Sequence, residues 1–385
     1  MRGHIQPRGK STWRLKYDVA PDPKTGSRRT RYATFRGTKR QAEDHLTKLM
    51  AADSDEPSFD AGTTSLAAYL RSWIVDVAAS ISPKTIERYR QLVDRQIVPH
   101  LGSKRLQKLS PTDIAHWHGV LLQQGRHDGT GLSAQSIRHA HRVLHKALCD
   151  AVDREILIRN PASRISPPKS EAGEVAILSS DQVTTVIDAL RGTEIFPHVM
   201  ILISSGIRRG ELMALQWGDI DLNANTLRVQ RSIEATKSHG LRIKPPKTRH
   251  GRRTITLPAI AITALKEHRA AEHEIRLALG LGKVQPTDCV FGSYDGKPRH
   301  PDWITYHWAH SVNRLGLPKV TLHALRHSHA SALIAGGQDV VTVSRRLGHA
   351  SPTITLSVYA HLFAPTDQAA ADTIEDLLKP KANKS

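Results

Sequence analysis

The sequence predicts a mainly α-helical chain with small β elements, an α+β fold made of an N-terminal sheet-plus-helix module, a helical domain and a larger mixed α/β domain. Three observations predict it. Apolar residues recur at three- and four-residue spacing through most of the chain from Ser65 onward. Short runs that alternate apolar with polar residues are confined to the first 36 positions and to 226–257. Polar, proline-bearing breaks interrupt the periodic segments around 53–57 and 161–173. The boundaries that follow are 1–57, 62–160, a linker at 161–173, and 174–385, in a chain of 385 residues that is long enough for two or three separate cores.

In the first segment, Trp13, Leu15, Tyr17 and Val19 alternate with Arg14, Lys16 and Asp18, the period of a half-buried strand. Pro21-Asp22-Pro23-Lys24-Thr25-Gly26 supplies turn chemistry before a second strand from Arg29 to Phe35. Thr38 then caps a helix running to about Ala52, with Leu46, Leu49 and Met50 as its apolar face. In the second segment, Leu66, Tyr69, Leu70, Trp73 and Ile74 predict a helix from Ser65 to Val77. Ser82-Pro83 opens another, carrying Ile86, Tyr89, Leu92 and Val93 and closing in the phrase from Ile97 to Gly102. Further helices are expected from Thr112 to Leu122 and from Ser133 to Val152, the latter with Ile137, Ala140, Val143, Leu144, Ala147 and Leu148 on one face. The third segment reads as helical except for β-like runs from Thr226 to Arg231, Leu241 to Lys244 and Arg252 to Leu257. Gly206 is suited to end the helix from Phe196 to Ser204 as a left-handed cap.

Composition narrows the function classes. Lys+Arg number 55 against 36 Asp+Glu, a net charge of +19, and the isoelectric point near 10.1 is that of a polyanion binder, with nucleic acid the default partner. The first 50 residues hold 13 Lys+Arg against 4 Asp+Glu, a net of +9, so the opening module is itself strongly basic. No run of 18 apolar residues exists and no basic amphipathic helix dominates, which argues against a membrane partner. Met1-Arg2-Gly3-His4 is polar and not followed by an apolar signal core. Cys149 and Cys289 are far apart and form no CxxC pair, which argues against zinc ribbons and a disulfide framework and fits a reducing cytoplasm.

The chemistry concentrates between His323 and Tyr359. His323-Ala-Leu-Arg326 opens a segment that runs to Gly336-Gly337, and the spacing of three puts both side chains on one helical face. Gly348-His349 closes the next segment, and Tyr359 follows His349 by 10 residues on a short helix opened by Ser351-Pro352. Arg208 lies in Ser205-Gly206-Ile207-Arg208-Arg209-Gly210-Glu211, and Lys247 in Pro245-Pro246-Lys247-Thr248, in the turn between two of the β-like runs. Two guanidinium forks suit the non-bridging oxygens of a phosphodiester, because they donate in pairs and stay charged. A phenol is a nucleophile once a base takes its proton, and an ammonium can protonate a departing oxygen. Chemistry alone does not choose between Arg208 and Arg209, or between Lys247 and Lys244. His323 and His327 also have the i, i+4 spacing of a zinc pair. With no Glu at the second position and no third ligand, His327 and His329 read better as hydrogen-bonded helix residues.

With these residues in the order Arg, Lys, His-x-x-Arg, His, Tyr, the chain resembles the tyrosine recombinase (phage integrase) family from Ile177 to Leu362. The resemblance implies a catalytic set of Arg208, Lys247, His323, Arg326, His349 and Tyr359. Tyr359 would form a 3′-phosphotyrosyl bond, His323 would serve as its base, and no metal, nucleotide or other cofactor would be needed. The first segment looks like the arm-type DNA-binding module of many phage integrases, a three-stranded sheet plus helix, with Arg14, Lys16, Arg29 and Arg31 as its candidate DNA contacts. Residues 62–160 resemble the helical core-binding (SAM-like) domain, with Lys84 and Arg88 as candidates. The partners so implied are double-stranded DNA attachment sites, a homotetramer on synapsed DNA, and a host bending factor or excisionase. The tail, with Ile374, Leu377 and Leu378 on one helical face, is expected to dock on a neighbouring protomer. Two other readings share these residues: a type IB DNA topoisomerase, against which the arm-like first segment speaks, and a catalytically silent DNA-binding regulator, against which the complete set speaks.

Overall fold

The computed structural model describes residues 3–9, 11–19, 29–52, 64–169, 177–246, 249–317, 320–363 and, in the tail, 371, 372, 374, 375 and 378. The chain divides into two compact units, Met1–Ile81 with Arg88–Ser170 and Ser82–Glu87 with Glu171–Ser385.

In the first unit, β1 (Gly3–Gly9), β2 (Thr12–Val19) and β3 (Arg29–Arg36) pair antiparallel in that order. β1 escapes alternation analysis because its sequence GHIQPRG offers a single large apolar residue, Ile5, and the rest of the strand is exposed. Leu15 and Tyr17 of β2 are buried with Ala42 and Leu46 of α1 (Lys39–Ala52), and Trp13, Ala33 and Phe35 pack on them. Strand alternation therefore puts Arg14 and Lys16 on the face away from the helix. α1 opens with a reciprocal cap: the Gln41 amide N–H donates to the Thr38 hydroxyl at 3.3 Å, and the Thr38 amide donates to Oε1 of Gln41 at 3.0 Å.

The helical part buries the stripes that the periodicity marks. α2 (Leu66–Val77) buries Leu66, Tyr69, Leu70, Trp73, Ile74 and Val77. The helix opening at Pro83 passes from α3 (Pro83–Leu92) through a π-turn, Val93–Ile97, into α4 (Val98–Leu101). Pro99 has no N–H to give, and the widened turn ahead of it lets the helical path continue to Gly102. α5 (Pro111–Gln124) starts at a capping box between Ser110 and Asp113. α6 (Ala134–Asp153) is tied to α2 by the Tyr69 hydroxyl, which donates to the Ala147 carbonyl at 2.6 Å, and by the Trp73 indole, which donates to Asp150 at 2.7 Å.

The second unit is built round α8 (Phe196–Ser205), buried along nearly its whole length and flanked by α7 (Ser180–Leu190). Gly206 takes φ 66° and ends α8 in the left-handed conformation, and the chain re-enters helix at α9 (Arg209–Leu212). Two small sheets follow: β4 (Ile220–Asp221), β5 (Thr226–Val229) and β8 (Arg253–Thr256) form one, and β6 (Ser232–Thr236) and β7 (Gly240–Lys244) the other. The β-like runs around Lys247 are thus strands, but of different sheets, so the expected hairpin between them does not form. β7 pairs back onto β6, and β8 crosses to β5. The helices α10 (Ala259–Ala278), α11 (Asp302–Arg314), α12 (Leu322–Ala335), α13 (Val340–Leu347) and α14 (Pro352–Tyr359) complete the unit. Among the described residues, no helix is long and apolar enough to cross a membrane.

Candidate active site

A cleft of about 460 Å³ opens where four turns meet, and Arg208, Lys244, His323, Arg326 and His349 line it. Two glycines build it. Gly206 and Gly348, with φ 66° and 68°, end α8 and α13 in the left-handed conformation and turn both helix ends toward Arg326. The last carbonyls of a helix lack intrahelical donors and carry the negative end of its dipole, so they suit a cation. Arg326 uses them: Nη1 donates to the Gly206 carbonyl at 2.6 Å and Nη2 to the Leu347 carbonyl at 2.8 Å. Two of its five N–H donors are thus committed to scaffold and three are left for a ligand. The residue is 3 % exposed. Burial first, then the charges of Arg208 and Arg253, lower its pKa to about 9, so the guanidinium is still charged at neutral pH.

Arg208 caps α9 and is half-buried at the rim. Its Nη1 donates to Glu211 Oε1 at 2.9 Å, its backbone N–H to Glu211 Oε2 at 3.0 Å, and Nη2 reaches the Gly348 carbonyl at 3.4 Å. Glu211 in turn accepts from Nη2 of Arg253 at 3.0 Å, and Arg253 is pinned by donating to the Arg346 carbonyl at 2.7 Å and the Gly251 carbonyl at 3.0 Å. Burial opposes the Glu211 charge, but the Arg253 guanidinium and the Arg208 N–H outweigh it and hold the carboxyl below its usual range. One carboxylate therefore orients the rim arginine and neutralises a buried one. Arg209, the chemical equal of Arg208 in sequence, points elsewhere, to Asp302 at 3.0 Å and Thr305 at 2.6 Å.

Desolvation, followed by the charges of Arg326 and Arg208, lowers the pKa of His323 at the cleft end of α12. His349 is lowered to about 4 by burial and then by the same two arginines. Its Nδ1 lies 2.8 Å from the Thr355 hydroxyl, which leaves Nε2 for a ligand. Both imidazoles are neutral hydrogen-bonding groups near pH 7.

Tyr359 ends α14 and is 2 % exposed, in an apolar cluster with Ala330, Ile334, Val343 and Leu347. Burial pushes its pKa up to about 12 against the pull of the Arg326 charge. The sequence reading gave His323 the role of its base, but the side chain on the phenol is His327, with Nδ1 2.5 Å from the hydroxyl. His327 stands one turn beyond His323, their rings edge-on at 4.8 Å. The signal that could have found it is spacing: His323, His327, Ala330 and Ile334 form one stripe along α12, with its first residue at the cleft and its last three around Tyr359. His329 faces the other way and lies 2.7 Å from the Ile203 carbonyl, bracing the Gly206 turn.

Lys247 lies outside the described residues. Its competitor Lys244 is at the cleft, paired with Glu234. In the first unit, the guanidinium of Arg14 lies 4.4 Å from the Tyr32 ring and the ammonium of Lys16 5.9 Å from it, on a tyrosine that is 54 % exposed. Arg31 is opposite Tyr17 and Arg29 opposite Val19, strand positions of the other parity; their side chains lie outside the described residues. Lys84 is 3.7 Å from Glu87, and Arg88 donates to Gln91 at 2.7 Å. Of the tail residues, Ile374 and Leu378 are exposed, and Leu377 lies outside the described residues.

Residues 177–365 match the Phage integrase family, and residues 65–122 the Phage integrase N-terminal SAM-like domain. A tyrosine recombinase XerC-like protein of Caldanaerobacter subterraneus subsp. tengcongensis is 26 % identical over 387 aligned positions, covering 96 % of this chain and 97 % of its own. The ICEBs1 integrase of Bacillus subtilis is 25 % identical over 360 positions, 93 % of this chain and 95 % of its own. Among solved structures, the Tn1549 transposon integrase in complex with a circular intermediate DNA has a TM-score of 0.67 at 20 % identity, covering 82 % of this chain and 100 % of that one. A lambda integrase tetramer bound to a Holliday junction has a TM-score of 0.57 at 18 % identity, covering 91 % and 96 %. At these identities the likeness to the solved structures is one of fold.

Proposed function

The chain belongs to the tyrosine recombinase (phage integrase) family and is a site-specific recombinase of integrative elements, and we propose that it cuts and rejoins duplex DNA with Tyr359 as its nucleophile. The observation that carries this reading is convergence. Arg208, His323, Arg326 and His349 come from three separated stretches of chain and line one cleft, and the Tyr359 phenol is held by His327, whose ring is edge-on to that of His323.

A phosphodiester in the cleft takes the free N–H donors of Arg326 and Arg208 on its non-bridging oxygens, where negative charge grows as the pentavalent transition state forms. His323 and Nε2 of His349 add neutral donors to the same oxygens. The Tyr359 phenol gives its proton to a neighbouring imidazole as its oxygen bonds to phosphorus, the bond to the 5′ oxygen breaks, and that oxygen takes a proton from Lys247. A 5′ hydroxyl from the partner duplex then attacks the phosphotyrosine and releases Tyr359. One ester replaces another at each step, so the reaction is close to isoenergetic and consumes no nucleotide. Residues 1–57 serve as the arm-type DNA-binding domain, through the sheet face that carries Arg14, Lys16 and Tyr32, with Arg29 and Arg31 on the adjoining strand. Residues 62–160 bind the core site, with Lys84 and Arg88 as candidate contacts. The working form is a homotetramer on two attachment sites in the bacterial cytoplasm, assisted by a host bending factor or an excisionase.

A duplex nicked beside the scissile phosphate, so that the freed end diffuses away, traps the covalent intermediate. The intact chain should accumulate a DNA adduct, and Tyr359→Phe should bind equally well and form none. An adduct from Tyr359→Phe would end the nucleophile assignment. Loss of supercoils without joint molecules would move the chain to the type IB topoisomerases.

A further inference from the structure

Three features place His327 at the reacting oxygen rather than beside it. Its Nδ1 is 2.5 Å from the Tyr359 hydroxyl, within the range of a strong O–H···N contact. It follows Arg326 directly, so the clamp on the phosphate and the partner of the phenol move as one rigid turn of α12. The ring of His323, which lines the cleft, is edge-on to that of His327 at 4.8 Å.

We propose that His327 is the residue that orients the Tyr359 phenol and takes up its proton during strand cleavage. The inference rests on Tyr359 being the nucleophile. In cleavage the phenolic O–H bond breaks and its proton passes to Nδ1 of His327, the tyrosine oxygen bonds to phosphorus, and the 5′ oxygen leaves. In joining, the imidazolium returns that proton to the departing phenolate. His323 and Arg326 on the same helix, after burial, lower the pKa of His327 to about 4, while burial holds the Tyr359 phenol near 12. Transfer between them is therefore strongly uphill in the free protein. A phosphate monoanion on Arg326 offsets part of the guanidinium charge that weakens His327 as a base. His323, exposed at the cleft, is left to meet the phosphate itself.

The test separates the phenol from the phosphate. His327→Ala and His327→Asn are compared with the unchanged chain in single-turnover cleavage of the nicked duplex. They are also compared, each combined with Tyr359→Phe so that no phenol competes for the phosphorus, in joining of a 5′-hydroxyl strand to DNA bearing a 3′-(p-nitrophenyl) phosphate, whose leaving group departs without a proton. Losing a general base typically costs about 100-fold or more. Cleavage should therefore fall about 100-fold in both variants, since the Asn amide can hold the phenol but cannot take its proton, while joining of the activated strand stays within about threefold. Normal cleavage by His327→Ala, full cleavage by His327→Asn, or parallel loss of joining would each overturn the proposal, the last by showing that the site as a whole had been disturbed. Tyr359→Phe is run alongside. An adduct from that variant sinks the nucleophile reading, whereas an inactive Tyr359→Phe with a fully active His327→Ala sinks this inference alone.

Discussion

Replacing Glu211 with Gln removes one charge and leaves the shape nearly unchanged, so its effect can be worked from the contacts. Glu211 is 2 % exposed and bridges Arg208 at 2.9 Å and Arg253 at 3.0 Å. The Arg253 side chain is 7 % exposed and is held by its bonds to the Arg346 and Gly251 carbonyls. In the Gln variant the amide NH₂ must face one of the two guanidinium groups, donor against donor, and the buried arginine loses its counter-charge. Breaking a buried pair by removing one partner costs about 3–5 kcal/mol. In a unit of this size each kcal/mol moves the midpoint by about 2–4 °C, which gives a fall of about 6–20 °C in the unfolding of the second unit. The pH dependence has a definite sign. The folded-state pKa of Glu211 is lowered, so its stabilisation is fully present above the ordinary glutamate range, about 4.3, and is lost as pH falls through the depressed folded value. Calorimetry of both proteins across pH 3–7 should show the largest gap near neutrality and convergence in acid. A midpoint within about 2 °C of the unchanged chain at pH 7, a shift worth under about 1 kcal/mol, would refute the claim that this carboxylate neutralises Arg253.

Arg326→Lys should lower single-turnover cleavage about 100-fold or more, since one lost donor to a developing oxyanion costs roughly 2.7–4 kcal/mol; a rate within a few fold of normal would show that the fork is not used. Activity should survive excess EDTA without nucleotide, because the Arg208 and Arg326 guanidinium groups supply the positive charge that a divalent ion would bring; loss of cleavage restored by one metal would reject that account. Deleting residues 1–57 should leave cleavage of a short core duplex intact and abolish recombination of full attachment sites, and unimpaired integration would remove the arm-type assignment. Binding by the intact chain to arm-type DNA should fall by orders of magnitude between about 50 and 200 mM salt if about six phosphates are contacted.

What the sequence disclosed depended on how local the deciding interaction is. The stripe of α6, the left-handed turn at Gly206 and the proline-opened α14 were legible because each is settled within a few residues, by periodicity or by one backbone preference. The pairing of β8 with β5 was not, since about 25 residues and a second sheet intervene and two short strands carry little register information. β1 was hidden from alternation because exposed polar residues fill it, and only the family resemblance implied a third strand. At the site, the residues whose chemistry is visible one at a time, two arginines, two histidines and a tyrosine, were singled out as candidates before the fold, and the arginines and histidines line one cleft. Glu211 and Arg253 were missed: their role exists only as a pair, formed by segments 42 positions apart. His327 was set aside as an ordinary helix residue because nothing in the sequence says that α14 folds back over the middle of α12.

Arg326 also bears on how variation at this site would be read. By bonding the Gly206 and Leu347 carbonyls it joins the ends of two helices, so the fold itself depends on a side chain that is also the proposed phosphate clamp. A library screened only for soluble expression or heat resistance, with no DNA present, would therefore reject most substitutions at position 326 while passing many at 349 and 323, whose rings join no helix ends. Intolerance in such a screen would rank these residues by their share in the architecture, and an abundance-corrected recombination assay would be needed to restore the chemical order.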